Sequence, residues 1–253
     1  MFDTHCHLID PQFTNDLDLV LERARAARVT KIINAGYDLK TSLEAIAMAR
    51  KYQELLPAVG IHPNDAAAES LNDMQKIEEL IVREKVSAIG ETGLDYYRNT
   101  VTKNSQKQLF KSHIEIARRY HLPLLIHTRN SVDEAIEVLK EEKYYCGVFH
   151  CYSGTYEQAK VILDMGFYLG FGGILTFSKK TREVFKKIPI DTVVLETDAP
   201  FLAPEGHRGR RNEPSYIVET LNTAAAVMGM KTDDLEEILE DNSNALFTNQ
   251  AIS

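Results

Sequence analysis

Several things are missing from this sequence, and each absence removes a class of protein. No apolar run approaches the roughly 18 residues that a membrane-spanning helix requires. The first residues enter a strand directly, without a basic and apolar leader, so a secretory signal is not expected. Cysteines number three, widely spaced and in no Cys-x-x-Cys pair. That argues against a disulfide framework and for a reducing, cytoplasmic setting. Basic residues are in deficit: the formal net charge is -8, which disfavours a broad electrostatic clamp on duplex nucleic acid. A phosphate substrate held locally stays compatible, because bound divalent cations would reverse the local field. Low-complexity tracts, linkers and sequence repeats are absent as well.

What is present is a rhythm of short apolar runs and amphipathic segments. Hydrophobic residues make up 44% and charged residues 26%, ordinary values for a chain with a sizeable core. Strands are predicted over MFDTHCHL at the start, then 31–36, 56–60, 86–90, 123–126, 146–149, 167–173 and 192–197. Helical spacing follows each one, as in the segment 16–29, where Leu17, Val20, Leu21 and Ala24 share a face. Strands that are apolar without alternation suit a parallel sheet covered on both sides. Eight strands alternating with eight helical segments, in a chain of 253 residues, predict a TIM (β/α)8 barrel forming a single domain over residues 1–253. The open, doubly wound sheet is the competing arrangement, but it usually has fewer strands and often a Gly-rich first turn.

Catalytic groups in such barrels come from the C-terminal strand ends. Reading that position in each strand collects His5, His7, His62, Glu91, His127, His150 and Asp198. Five of the chain's eight histidines fall there; His113, His121 and His207 lie elsewhere. His5 and His7, two apart on an extended strand, point the same way while Cys6 points oppositely. Neutral imidazole is the commonest protein ligand for divalent metals. Four imidazoles and two carboxylates exceed what one catalytic ion with an open position takes from protein. A bridging Glu91 would let one ion take His5, His7 and Asp198 while a second takes His127 and His150. Two divalent metal ions per chain are therefore expected, as Mg²⁺, Mn²⁺ or Zn²⁺, since carboxylates widen the choice toward oxygen-preferring ions.

The segments DTHCHL, AVGIHP, AIGETGLDYY, IHTR, FHCYSG, ETDAPFLAP and HRGRRNEP, in this order, resemble the signatures of the TatD family of metal-dependent deoxyribonucleases, amidohydrolase-like barrels. They span Asp3 to Pro214. The resemblance implies a TIM barrel that hydrolyses phosphodiester bonds in DNA, often from the 3′ end, with metal residues at His5, His7, Glu91, His127, His150 and Asp198. One position departs: the third-strand motif, often HPH in that family, reads HPN here, placing Asn64 where a second histidine is usual.

Asp198 follows the last strand, the position that, in the superfamily this resembles, often both touches metal and accepts the water's proton. Glu196, two residues earlier, would orient a ligand. His62 would hold the scissile phosphate or the leaving oxygen. Arg129, just past His127, suits bidentate phosphate contact. The cluster His207 to Arg211 offers Arg208 as a second phosphate contact, against the alternative of a solvated run pairing with Glu213 or Glu205. Tyr96 and Tyr97 could stack on a base of single-stranded substrate; Cys6 and Cys151 read as packing. The expected partner is DNA, single-stranded or at its ends, with no membrane. Two other readings compete: an amide or ester hydrolase on the same scaffold, such as a D-aminoacyl-tRNA deacylase, and a metal-binding scaffold without chemistry.

Overall fold

The computed structural model describes residues 1–67, 70–98 and 101–248, so the last residues of the expected domain lie outside the described ones. Eight parallel strands form one sheet in sequence order: β1 (Phe2–Cys6), β2 (Lys31–Ala35), β3 (Leu55–Val59), β4 (Ala88–Asp95), β5 (Leu124–Arg129), β6 (Gly147–Phe149), β7 (Tyr168–Phe171) and β8 (Val193–Leu195). The seam between β8 and β1 is closed by a parallel bridge, Cys6 to Ala199. There Asp198 N–H donates to His5 O at 2.8 Å and His7 N–H to Ala199 O at 2.7 Å. The expected TIM barrel is what the chain forms. Among the described residues there are nine α-helices rather than eight: one after each of the first seven strands, α1 (Leu17–Ala26), α2 (Leu39–Lys51), α3 (Ser70–Arg83), α4 (Lys103–Tyr120), α5 (Val132–Glu142), α6 (Tyr156–Asp164) and α7 (Lys179–Phe185), and two after β8, α8 (Ile217–Met228) and α9 (Thr232–Phe247). None is long and apolar enough to cross a membrane among the described residues.

The period-two pleat sorts side chains into two layers. Ile33, Ala58, Ala88, Leu125, Val148 and Val194 fill the barrel interior, while alternate residues such as Ile32, Leu124 and Ile126 join the layer under the helices. Phe2, in β1, meets Phe247 of α9 at 5.7 Å between ring centroids, so the last helix plugs the N-terminal end of the barrel. The C-terminal end is left for polar residues.

Two register slips decide what that polar end displays. Strict alternation from Phe2 would turn Thr4 inward, and from Ala88 it would turn Gly90 inward. The β1–β2 register slips between Asp3 and Cys6, and the β4–β5 register slips between Ile89 and Thr92. A one-residue bulge moves every later side chain to the opposite face. His5, His7 and Glu91 enter the mouth of the barrel by this means. Beyond the slip β4 runs on to Asp95, five residues past the expected end at Gly90.

A buried carboxylate stitches the seam. Asp3 is fully buried and accepts from Thr197 Oγ1 at 2.6 Å and Thr197 N at 2.9 Å. Burial pushes its pKa up to about 8 against these donors. Thr197→Val removes the shorter bond and strands one carboxylate oxygen, which costs about 1–3 kcal/mol. Urea unfolding should show a lower midpoint with an unchanged slope; an unchanged midpoint would mean that the seam is held elsewhere.

Candidate metal centre

Seven of the residues singled out at strand ends converge at the barrel mouth. His5 and His7 come from the end of β1, Glu91 from β4 and His127 from β5. His150 and Asp198 follow β6 and β8. Both occupy left-lying stretches of backbone, Asp198 itself at φ 56° and Cys151, next to His150, at φ 47°. His62 caps a short 3₁₀ turn, Pro63–Asp65, after β3.

Glu91 is the hub. Its Oε2 lies 3.3 Å from His7 Nε2 and 3.7 Å from His5 Nε2. Its Oε1 lies 2.8 Å from His127 Nδ1 and 2.9 Å from His150 Nε2. Asp198 Oδ1 completes the first group at 3.6 Å from both His5 Nε2 and His7 Nε2. The two imidazole nitrogens of that group stand 3.1 Å apart. His7 Nδ1 is 2.8 Å from Ala35 O, a contact that keeps a proton on Nδ1 and makes Nε2 the atom that would give up its proton to a metal.

These spacings allow a test of whether a cation fits. Donors about 2.1 Å from a tetrahedral ion stand about 3.4 Å from one another. Five separations within the first group run from 3.1 to 3.7 Å. The second group, Glu91 Oε1, His127 Nδ1 and His150 Nε2, is tighter, at 2.8 to 3.2 Å, and offers three donors. Nitrogen and oxygen donors in these numbers suit zinc, manganese or magnesium.

Electrostatics bind the groups to one another. Burial alone would raise the Glu91 carboxyl, but the His150 and His62 rings, together with hydrogen bonds from His127 and His150, hold it well below the usual range. Burial would lower His7, yet Asp198 and Glu91 push it up to about 10. His150 is raised against burial by Glu91 and Glu196. His5, stacked on His150 at 4.0 Å, is lowered by burial and by that neighbour. His62 is pushed down to about 3, chiefly by burial. Its Nδ1 accepts from Asn64 N–H at 3.1 Å, so Nε2 carries the proton and points at Glu91 Oε1, 3.7 Å away.

Asp95 is the residue that reading strand ends missed. It is buried, and its Oδ2 takes Asn64 Nδ2 at 3.1 Å and lies 3.4 Å from His127 Nε2. One signal was present: Asp95 stands four residues past Glu91, an even interval that puts both on one strand face. Glu196, fully buried, accepts from Cys151 N at 2.5 Å and sits 3.7 Å from His150 Nδ1. Glycine at 170 makes room for it, since a Cβ there would lie 2.5 Å from Glu196 Oε2.

The outlying residues divide. Arg129 lays its guanidinium over the Tyr97 ring, 3.7 Å from the centroid, and Tyr97 is 59% exposed. Tyr96 is half-buried against the core with Lys103 above its ring, which makes Tyr97 the exposed ring of the two. Alternation explains the difference, because adjacent side chains leave a strand end on opposite sides. Arg208 stands apart from the cluster. It is exposed and lies over the Phe177 ring, and no contact among the described residues joins it to the histidines. Arg211 forms a two-pronged pair with Asp16 at 2.7 Å, fixing the loop after β8 to the start of α1. His113, His121 and His207 stay structural: His113 takes Ile61 N–H at 3.0 Å, His121 caps α4, and His207 stacks on Tyr216.

A closed parallel barrel that gathers five imidazoles and two carboxylates at its C-terminal mouth is the frame of a metal-dependent hydrolase. The model of the TatD related DNase family matches residues 2–248, and the chain belongs to that family. It is 41% identical over 251 residues to the Bacillus subtilis protein named uncharacterized metal-dependent hydrolase YabD, covering 98% of each chain. It is 34% identical over 256 residues to the Klebsiella pneumoniae protein named 3'-5' ssDNA/RNA exonuclease TatD, covering 98% of this chain and 97% of that one. The crystal structure of the Escherichia coli TatD homologue YjjV superposes with a TM-score of 0.92 at 32% identity, over 98% and 97% of the two chains.

Cations compete with protons for these imidazoles, so metal binding releases protons. Because neighbouring carboxylates shift His7, His127 and His150 toward the protonated form, Mn²⁺ affinity should rise with pH between about 6 and 8. The expected slope approaches about tenfold per pH unit for each proton released. Calorimetric titration in buffers of different ionisation enthalpy counts those protons; a flat affinity profile would contradict the assignment.

Proposed function

We propose that this chain hydrolyses phosphodiester bonds of single-stranded DNA from the 3′ end, using two divalent cations at the barrel mouth. The observation that carries the reading is Glu91, whose two oxygens face two separate donor groups. His5, His7, Asp198 and Glu91 Oε2 would hold one ion, and His127, His150 and Glu91 Oε1 the other. Such a pair would supply Lewis acidity and a water-derived nucleophile at neutral pH. The relative named as a 3'-5' ssDNA/RNA exonuclease supports the substrate class.

This chain's own side chains supply the remaining parts. Asp198, buried at the mouth with Oδ1 turned to His5 and His7, is the proton acceptor. His62 presents Nε2–H toward the centre and donates to a phosphoryl or leaving oxygen. Arg129 offers a planar fork to phosphate, and Tyr97, not Tyr96, offers its ring to a base. Residues 1–253 act as one catalytic domain, and unpaired Cys6, Cys146 and Cys151 fit a cytoplasmic setting.

Cleavage of 3′- and 5′-labelled oligonucleotides with Mg²⁺, Mn²⁺, Zn²⁺ or chelator tests the activity. Metal-dependent shortening from the 3′ end is expected. No cleavage by protein that holds two metals, with turnover of acyl substrates, would establish the amide or ester hydrolase instead. Glu91→Ala should reduce hydrolysis by more than the roughly 100-fold typical of outer-shell metal partners and weaken metal uptake, with circular dichroism unchanged. Full activity in that variant would overturn the bridging role. Tyr97→Ala should raise KM for oligonucleotides roughly tenfold, in line with the stacking energy of one base, and leave kcat nearly unchanged; an unchanged KM would remove Tyr97 from the substrate path.

A further inference from the structure

The trio His62, Asp95 and His127 places three ligand-type atoms within 4.8 Å of one another, sharing only His127 with the two donor groups centred on Glu91. A third cation there conflicts with the hydrogen bonding. His62 Nδ1 accepts from Asn64 N–H, so Nε2 bears a proton and has no lone pair to give. His127 has already turned Nδ1 toward Glu91 Oε1 and His150. What the trio does offer is a carboxylate behind a ligand.

We propose that Asp95 is the positioning residue of the second metal group: in the neutral, metal-binding ring it holds the His127 proton on Nε2, 3.4 Å from Oδ2, so that the Nδ1 lone pair is the one turned toward the Glu91 and His150 donors. This rests on the two-cation reading above. The means lie in how tightly Asp95 is itself held. Its Oδ1 accepts from Tyr97 N–H at 2.8 Å and its Oδ2 from Asn64 Nδ2 at 3.1 Å. Its peptide is gripped in both directions by buried Gln106 of α4: Asp95 N–H donates to Oε1 at 2.8 Å, and Nε2 donates to Asp95 O at 2.8 Å. The neighbouring strands also approach closely. Gly93 has φ 129°, and a Cβ on it would stand 2.2 Å from His127 O. The backbones carrying Asp95 and His127 are therefore fixed against each other before either side chain is considered.

The chemistry of the carboxylate matters because both donors beside Oδ2 need an acceptor. An amide in its place keeps one oxygen for Tyr97 N–H and presents NH₂ to Asn64 and to His127 Nε2. His127 must then accept at Nε2 and carry its proton on Nδ1, the atom that faces Glu91. A protonated Nδ1 cannot ligate.

The test is Zn²⁺ binding, by equilibrium dialysis and metal analysis, for the wild type, Asp95→Asn and Asn64→Ala, with thermal unfolding alongside. Wild-type protein should hold two ions. Asp95→Asn should keep the first and weaken the second by about 10- to 100-fold, the range for outer-shell partners of metal ligands. Asn64→Ala removes one of several supports and should weaken the second ion less. Equal affinity for both ions in Asp95→Asn, with only a lower melting temperature, would overturn the proposal and leave Asp95 a structural residue. Loss of a third ion in Asp95→Asn would also overturn it, in favour of direct ligation. A wild type that binds one ion, at the first group, would refute the two-cation reading itself.

Discussion

One buried carboxylate governs this molecule. Glu91 sits inside a ring of His5, His7, His62, His127 and His150, and none of these groups would tolerate burial alone. An isolated ion in a protein interior costs several kcal/mol even after relaxation. The cost is offset because negative Glu91 and Asp198 share the site with His7, His127 and His150, which are pushed toward the cationic form. A cation placed among the same donors would do the balancing instead, which is why metal binding and proton release are linked here. The barrel is shaped to permit it: apolar side chains and the end of α9 close the opposite end, and the polar cluster occupies the open one.

How the strands deliver these residues shows what was legible in the chain. The eight apolar runs and the ligand-type residue at the end of six of them announced a barrel and its business end, because burial on both sheet faces leaves no other place for imidazoles and carboxylates. The pairing of His5 with His7 was equally legible, since an interval of two means one face. What turns them inward was not. The slips in β1 and β4 are relations between neighbouring strands, and no property of MFDTHCHL or AIGETGLD taken alone specifies them.

What the sequence left open about the remaining residues has one cause. Asp95 was overlooked because β4 continues five residues past the last apolar one, and strand ends were located by apolarity. Asn64 stood out as a departure from the family pattern, yet its partner is thirty-one residues away on another strand. Tyr96 and Tyr97 are adjacent, and only the exit direction of the strand decides which is covered. Arg208 and Arg211 belong to one basic run, but Arg211 is claimed by Asp16 and Arg208 by Phe177. A charged run in a sequence says nothing of which charges are already engaged. The contacts that divide them link residues far apart in the chain.

The seam between the first and last strands has a consequence for how the protein comes into being. His5 and His7 precede Asp198, which meets the same two nitrogens, by about 190 residues of sequence. The bridge from Cys6 to Ala199 spans the same interval of sequence. Throughout synthesis the early histidines lack the carboxylate that completes their group, and the sheet has an open edge. A chain truncated before β8 would therefore carry most of the candidate ligands but neither the finished first group nor a closed wall around it.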